Sequence, residues 1–107
     1  MTLVEKLVRC PSVSGNETEA VELLIGEMNI RGLEARSDSA GNAVGKAGHG
    51  ASQIFLIGHI DTVPGEIPVR LEGSKLYGRG SVDAKGCLAA FIEAAGEFIK
   101  SDSVTVT

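Results

Sequence analysis

Ile54-Phe-Leu-Ile-Gly58-His59-Ile-Asp61-Thr-Val-Pro64 is the stretch whose reading decides the fold. Four apolar residues, Ile54 to Ile57, predict a buried strand, and the strand ends in a glycine followed by a histidine and a carboxylate two positions apart. Open α/β sheets keep their chemistry at such strand ends. Side chains alternate along a strand, so His59 and Asp61 leave on the same face and can act on one ligand. A third polar group, Asp83, follows the glycine-rich stretch Gly78-Arg79-Gly80-Ser81-Val82 and opens the next helical pattern. An imidazole and two carboxylates converging there make a divalent-metal site of the zinc type. A lone histidine after an apolar strand is more often a hydrogen-bonded structural residue, and the two aspartates shift that balance.

Working outward, Gly78 to Asp83 lacks the third glycine of a dinucleotide fingerprint, and an aspartate aimed at a pyrophosphate would repel it. The reading is therefore a cation and not a phosphate. Gly41 to Lys46 is one residue short of a phosphate loop and has no strand-loop-helix context, so a nucleotide loop is rejected there too. Asp83 is also placed to cap the helix that follows. His49, between glycines in the stretch 46–52, is expected to be exposed loop decoration.

The N-terminal pattern Leu3, Val4, Leu7, Val8 predicts a short amphipathic helix stopped by Pro11. Ser14 and Glu17 have capping-box spacing, so a second helix is expected from about Gly15. Its apolar residues are Val21, Leu24, Ile25 and Met28, it closes at Arg31-Gly32, and Glu17, Glu19, Glu22 and Glu27 are expected on a solvated face. Two short strands are expected between Leu33 and Val44, and Val69 to Tyr77 reads as a hairpin with a Gly73-Ser74 turn. A third helix from Ala84 to Gly86 onward carries Leu88, Phe91, Ile92, Ala95 and Ile99, with Ala89, Ala90 and Ala94 permitting close approach to the sheet. Val104 to Thr107 is a further strand, expected to present an unpaired edge and so to promote association. Strands alternating with helices give an α/β class, a mixed sheet flanked by helices.

The chain has 107 residues, 43% of them hydrophobic, which suits one small domain with a modest core. Its net charge of −4 has no basic cluster to offset it, which argues against a nucleic-acid or anionic-membrane surface. Cys10 and Cys87 stand in no metal or redox spacing and read as reduced packing residues. Charges interrupt the apolar N-terminus, so no signal peptide or membrane span is expected and a cytoplasmic location is.

His59-Ile-Asp61-Thr-Val-Pro64 together with Gly78-Arg-Gly-Ser-Val-Asp83-Ala-Lys-Gly86 resembles the paired signature of the M20 family of zinc metallohydrolases. The segment Pro11-Ser-Val-Ser-Gly-Asn-Glu17 matches the family as well. Gly65 to Arg70, leading directly to Leu76-Tyr77, is similar to the branch that releases lysine or ornithine from an amino-group carrier protein. The resemblance implies His59 as a ligand of one zinc, Asp83 as a bridge between two zinc ions, and Asp61 behind the histidine's other ring nitrogen; cobalt is an alternative metal. It also implies a cis or strained peptide between Asp83 and Ala84. The substrate implied is a small amino-acid derivative or an amino acid held on a carrier protein, in lysine or arginine biosynthesis, and the complete enzyme is expected to be a homodimer. The match covers the N-terminal part of a catalytic domain. The general-base glutamate, the later ligands, the inserted dimerisation domain and the C-terminal part lie outside residues 1–107. The isolated chain is therefore expected to lack activity, and the rival reading is a non-catalytic remnant or interaction module. Arg79 is open between steadying a carboxylate and a loop salt bridge.

Overall fold

The protein is described by a computed structural model covering residues 1–107. Three helices, α1 (Leu3–Arg9), α2 (Thr18–Ile30) and α3 (Lys85–Gly96), alternate with six strands. The strands are β1 (Glu34–Ser37), β2 (Ala43–Lys46), β3 (Ser52–Ile54), β4 (Arg70–Glu72), β5 (Lys75–Tyr77) and β6 (Val104–Val106). β1 and β2 are antiparallel, β3 and β6 parallel, and a bridge between Ala47 and Val106 joins the two pairs. The bridge is closed by both backbone bonds, at 2.9 and 2.8 Å. The strands thus make three two-stranded sheets, β1–β2 and β3–β6 linked through that bridge, and β4–β5 as a separate hairpin turning at Gly73 with φ +59°. The α/β reading with a mixed sheet and helices holds.

Helix ends follow local chemistry. Thr2 caps α1 by accepting from the Glu5 amide. Leu3, Leu7 and Val8 are buried, as their spacing predicts. α2 closes in a Schellman turn: the Leu33 amide donates to Met28 and the Gly32 amide to Asn29, with Gly32 at φ +89°. Leu24, Met28 and Leu33 then meet Leu3, Leu7, Ala89, Ile92, Ala95 and Val106 in one core.

Five expectations are corrected. The second helix starts at Thr18 without a side-chain cap, because the Ser14 hydroxyl is occupied elsewhere and Glu17 accepts from the Gly15 amide instead. Glu27 is not solvated: it is 5% exposed, with Lys6 and Arg31 each 2.7 Å from one of its oxygens. The Ile54 to Ile57 run is neither a full strand nor buried: β3 ends at Ile54, Leu56 alone packs partly on the core, and Phe55 is 63% and Ile57 85% exposed, because β3 pairs only with β6 and no second layer covers that side. Val104 to Thr107 presents no free edge, since β3 pairs with it on one side and on the other Ala47 exchanges both backbone bonds with Val106 and the Gly50 amide donates to Val104. Ala90 and Ala94 are exposed, leaving Ala89 and Ala95 as the small residues that face the core.

The glycines beside His49 have a steric cause. A Cβ on Gly50 would lie 1.8 Å from the Ser103 carbonyl carbon, so this loop runs hard against the strand that follows α3. His49 itself is exposed, its amide donating to Ser101.

Hydrogen bonds from Lys6 and Arg31 hold the Glu27 carboxyl below the usual range. Its contribution is therefore present above the unfolded pKa and lost as pH falls through the lower folded value. Both cations keep contact with water, so Glu27→Gln is expected to cost about 1–2 kcal/mol at neutral pH. Urea unfolding should show the gap to wild type closing in acid; a gap that persists with Glu27 protonated would contradict the ion-pair account.

Candidate metal centre

The structure brings His59, Asp61 and Asp83 together. His59 leaves just beyond β3, where Gly58 permits close passage over α3: a Cβ there would meet Leu88 Cδ2 at 2.8 Å. Its Nε2 lies 3.0 Å from Asp83 Oδ1. Its Nδ1 lies 3.1 Å from the Asp61 carbonyl oxygen and 3.2 Å from Asp61 Oδ1. The imidazole is thus backed by Asp61 and faced by Asp83, and both sides are open to solvent, with side chains 50%, 43% and 87% exposed for His59, Asp61 and Asp83.

Asp83 does not cap α3. The cap position belongs to Ala84, without a side-chain bond, and the Asp83–Ala84 peptide is cis. The carboxylate turns instead toward His59. Gly80, at φ +81°, makes the turn that brings it there, and a Cβ at Gly80 would sit 2.8 Å from Thr62 Cγ2. Arg79 forms no salt bridge; its Nε donates to the Gly65 carbonyl at 2.8 Å, tying the loop after Asp61 to the loop before Asp83.

The electrostatics follow the contacts. The Asp61 carbonyl, and after it the Asp83 and Asp61 carboxylates, push the His59 imidazole upward. The Ser14 hydroxyl holds the Asp61 carboxyl below the carboxylate range, with His59 adding to it. An Nε2 facing a carboxylate at 3.0 Å calls for something positive between them, either a proton or a cation.

Nitrogen and oxygen donors on one side, with the second ring nitrogen engaged by a carboxylate, suit zinc. The fit is partial. A closed site needs three or four protein ligands, and no group of three His, Cys, Asp or Glu converges here, because Asp61 lies behind the ring. Of the three, only His59 Nε2 and Asp83 Oδ1 face each other in the open.

Sequence reasoning missed the floor of this site. Residues 12–14 lie alongside residues 60–62: Ser12 Oγ donates to the Ile60 carbonyl at 2.7 Å, the Thr62 amide to Ser12, and the Ser14 amide to Thr62. Ser14 Oγ donates to Asp61 Oδ2 at 2.6 Å. On the other side Lys85, 1% exposed, donates from Nζ to the Leu7 and Cys10 carbonyls at 2.8 and 2.6 Å. Leu7 to Ser14 therefore grips the loops of both His59 and Asp83. The one available signal was Lys85, a charge in phase with Ala89 and Ile92 on the apolar face of α3.

These features define an α/β domain that holds a histidine between two aspartates, and comparison with known proteins gives the family. Residues 55–107 match peptidase family M20/M25/M40. The chain is 52% identical over 93 residues to a LysW-lysine hydrolase of Deinococcus radiodurans, covering 86% of this chain and 26% of that protein. It is 47% identical over 94 residues to a putative LysW-lysine/LysW-ornithine hydrolase of Thermococcus kodakarensis, covering 88% and 27%. A LysW-lysine/LysW-ornithine hydrolase of Saccharolobus islandicus is 42% identical over 85 residues, covering 77% and 23%. The chain belongs to the M20 peptidase family and spans about a quarter of the length of these relatives.

Gly80→Ala is expected to destabilise the fold by about 2 kcal/mol, combining positive-φ strain with the contact on Thr62. Gly73, also at positive φ but with open space around it, serves as control. Denaturant unfolding of both alanine variants checks this, and equal losses would remove the steric part of the argument.

Proposed function

We propose that residues 1–107 form the N-terminal part of a single M20 metallohydrolase catalytic domain. The inserted dimerisation domain and the C-terminal part lie outside these residues. The complete enzyme hydrolyses an amide bond to release lysine or ornithine from a carrier-protein-bound or acylated form, within amino-acid biosynthesis in the cytoplasm, as a homodimer. The observation that carries the reading is the pair His59 Nε2 and Asp83 Oδ1, 3.0 Å apart and backed by Asp61, in a chain 52% identical to a LysW-lysine hydrolase. The exposed Phe55 and Ile57 support it further, as apolar surface that the rest of such a domain would cover. No helix is long and apolar enough to cross a membrane.

His59 and Asp83 would hold the metal, zinc or alternatively cobalt, with two ions in the complete site and Asp83 shared between them. When bound, the metal supplies a water acidified to near neutrality and polarises the scissile carbonyl. His59 presents Nε2 to it while Asp61 keeps the proton on Nδ1, which fixes the ring's orientation. Arg79 ties the loop after Asp61 to the loop before Asp83, and Lys85 fixes the start of α3 against α1. The proton that must reach the leaving amine has no carrier among these residues, so the general base comes from outside this segment.

The presence of only two metal-facing donors favours one competing reading, a non-catalytic remnant or interaction module. Activity of the complete polypeptide distinguishes the two. In that form His59→Ala and Asp83→Ala are each expected to abolish metal-dependent release of lysine or ornithine, whereas the 107-residue chain alone releases none. Wild-type rates in either variant would refute the ligand assignment, and chelator-sensitive hydrolysis by the chain alone would refute the need for outside residues.

A further inference from the structure

We propose that Ser14 is a positioning residue for the metal-facing imidazole, acting through Asp61; this rests on the metal reading of His59 above. Three observations converge on its hydroxyl. First, the backbone of Ser14 is already fixed without it. The Ser14 amide donates to Thr62 and the Thr62 amide to Ser12, a parallel rung centred on Val13 and Thr62. The side chain is therefore not needed to hold the segment in place.

Second, the hydroxyl forgoes the cap that the sequence offers it. Ser14 and Glu17 have the spacing of a capping box, worth about 1 kcal/mol, yet α2 begins at Thr18 with no side-chain cap. Glu17 turns to the Gly15 amide, while the serine hydroxyl is spent on a partner 47 positions away, and a local rule set aside for so distant a contact points to a functional site. Third, the hydroxyl has one proton and two acceptors within reach, Asp61 Oδ2 at 2.6 Å and the Thr62 carbonyl at 3.4 Å. The shorter, charge-assisted bond takes the proton.

Holding Oδ2 stops the carboxylate turning about its terminal torsion, so Oδ1 stays 3.2 Å from His59 Nδ1. Nδ1 then has two acceptors, that oxygen and the Asp61 carbonyl at 3.1 Å. The proton of a neutral ring is drawn to Nδ1, which leaves the Nε2 lone pair for a cation shared with Asp83. The serine cannot be a nucleophile of the serine-hydrolase kind, because its hydroxyl donates to the aspartate and not to the imidazole.

The test reads the His59 tautomer from nitrogen chemical shifts in labelled chain at alkaline pH, where the ring is neutral. It is run in an Asp83→Ala background, which removes the competing acceptor on Nε2 and changes a side chain that is 87% exposed. With Ser14 present, the Nδ1–H form is expected to dominate. Ser14→Ala is expected to give a mixture of the two tautomers, and Ser14→Thr, which keeps the hydroxyl, to restore the single form. Circular dichroism and thermal unfolding of each variant separate this from loss of fold. An unchanged tautomer in Ser14→Ala overturns the proposal, and so does a shift that threonine fails to reverse. The readout needs neither metal nor turnover. Failure of the hydrolase reading would appear only in the activity of the complete polypeptide, leaving the tautomer result intact.

Discussion

The ammonium of Lys85 is 1% exposed and faces two backbone carbonyls, with no carboxylate beside it. Burial pushes its pKa down, and taking an ion out of water costs several kcal/mol unless strong acceptors replace the lost hydration. Leu7 and Cys10 are such acceptors, since they stand at the C-terminal end of α1, where the dipole is negative; the Leu7 carbonyl also accepts from the Cys10 amide, and the Cys10 carbonyl lies beyond the last helical bond. The arrangement therefore satisfies two needs with one bond set, an otherwise unpaired carbonyl at the helix end and an otherwise unsolvated charge. Its geometric result is that the start of α3, and with it the Asp83 loop, is fixed against the first helix.

The segment following that helix does the same for the other half of the site. Ser12 and Ser14 run beside Ile60 to Thr62 and hold the loop of His59 through main chain and hydroxyls. Two loops that arrive from distant parts of the sequence are thus referred to one eight-residue baseplate, Leu7 to Ser14. A histidine–aspartate pair open to solvent on one side can keep a defined geometry only if its supports are buried on the other. Ser12 at 1%, Thr62 at 6% and Lys85 at 1% exposure are those supports.

The elements and their chemistry were legible where the signal was local. α1, the C-terminal turn of α2, the β4–β5 hairpin and the meeting of His59, Asp61 and Asp83 all follow from spacing and residue type. What stayed hidden was long-range competition for the same group. Ser14 reads as a helix cap because only its neighbours are visible in sequence, while its actual partner lies 47 positions away. Glu27 reads as solvated because Lys6, on another helix, cannot be seen from α2 alone. The apolar run Ile54 to Ile57 reads as interior, yet burial depends on a covering layer, and the side chains of Phe55 and Ile57 have none here.

The strand pairing also sets the sequence of events during synthesis. β2 pairs with β1, its neighbour in the chain, whereas β3 finds its partner in β6, some fifty residues later. As the polypeptide leaves the ribosome, the β1–β2 ribbon can form early, whereas β3, which leads into the His59 loop, waits unpaired until Val104 to Val106 emerge. The apolar residues 54–57 at the end of that waiting strand make this interval the moment when a chaperone has most to shield.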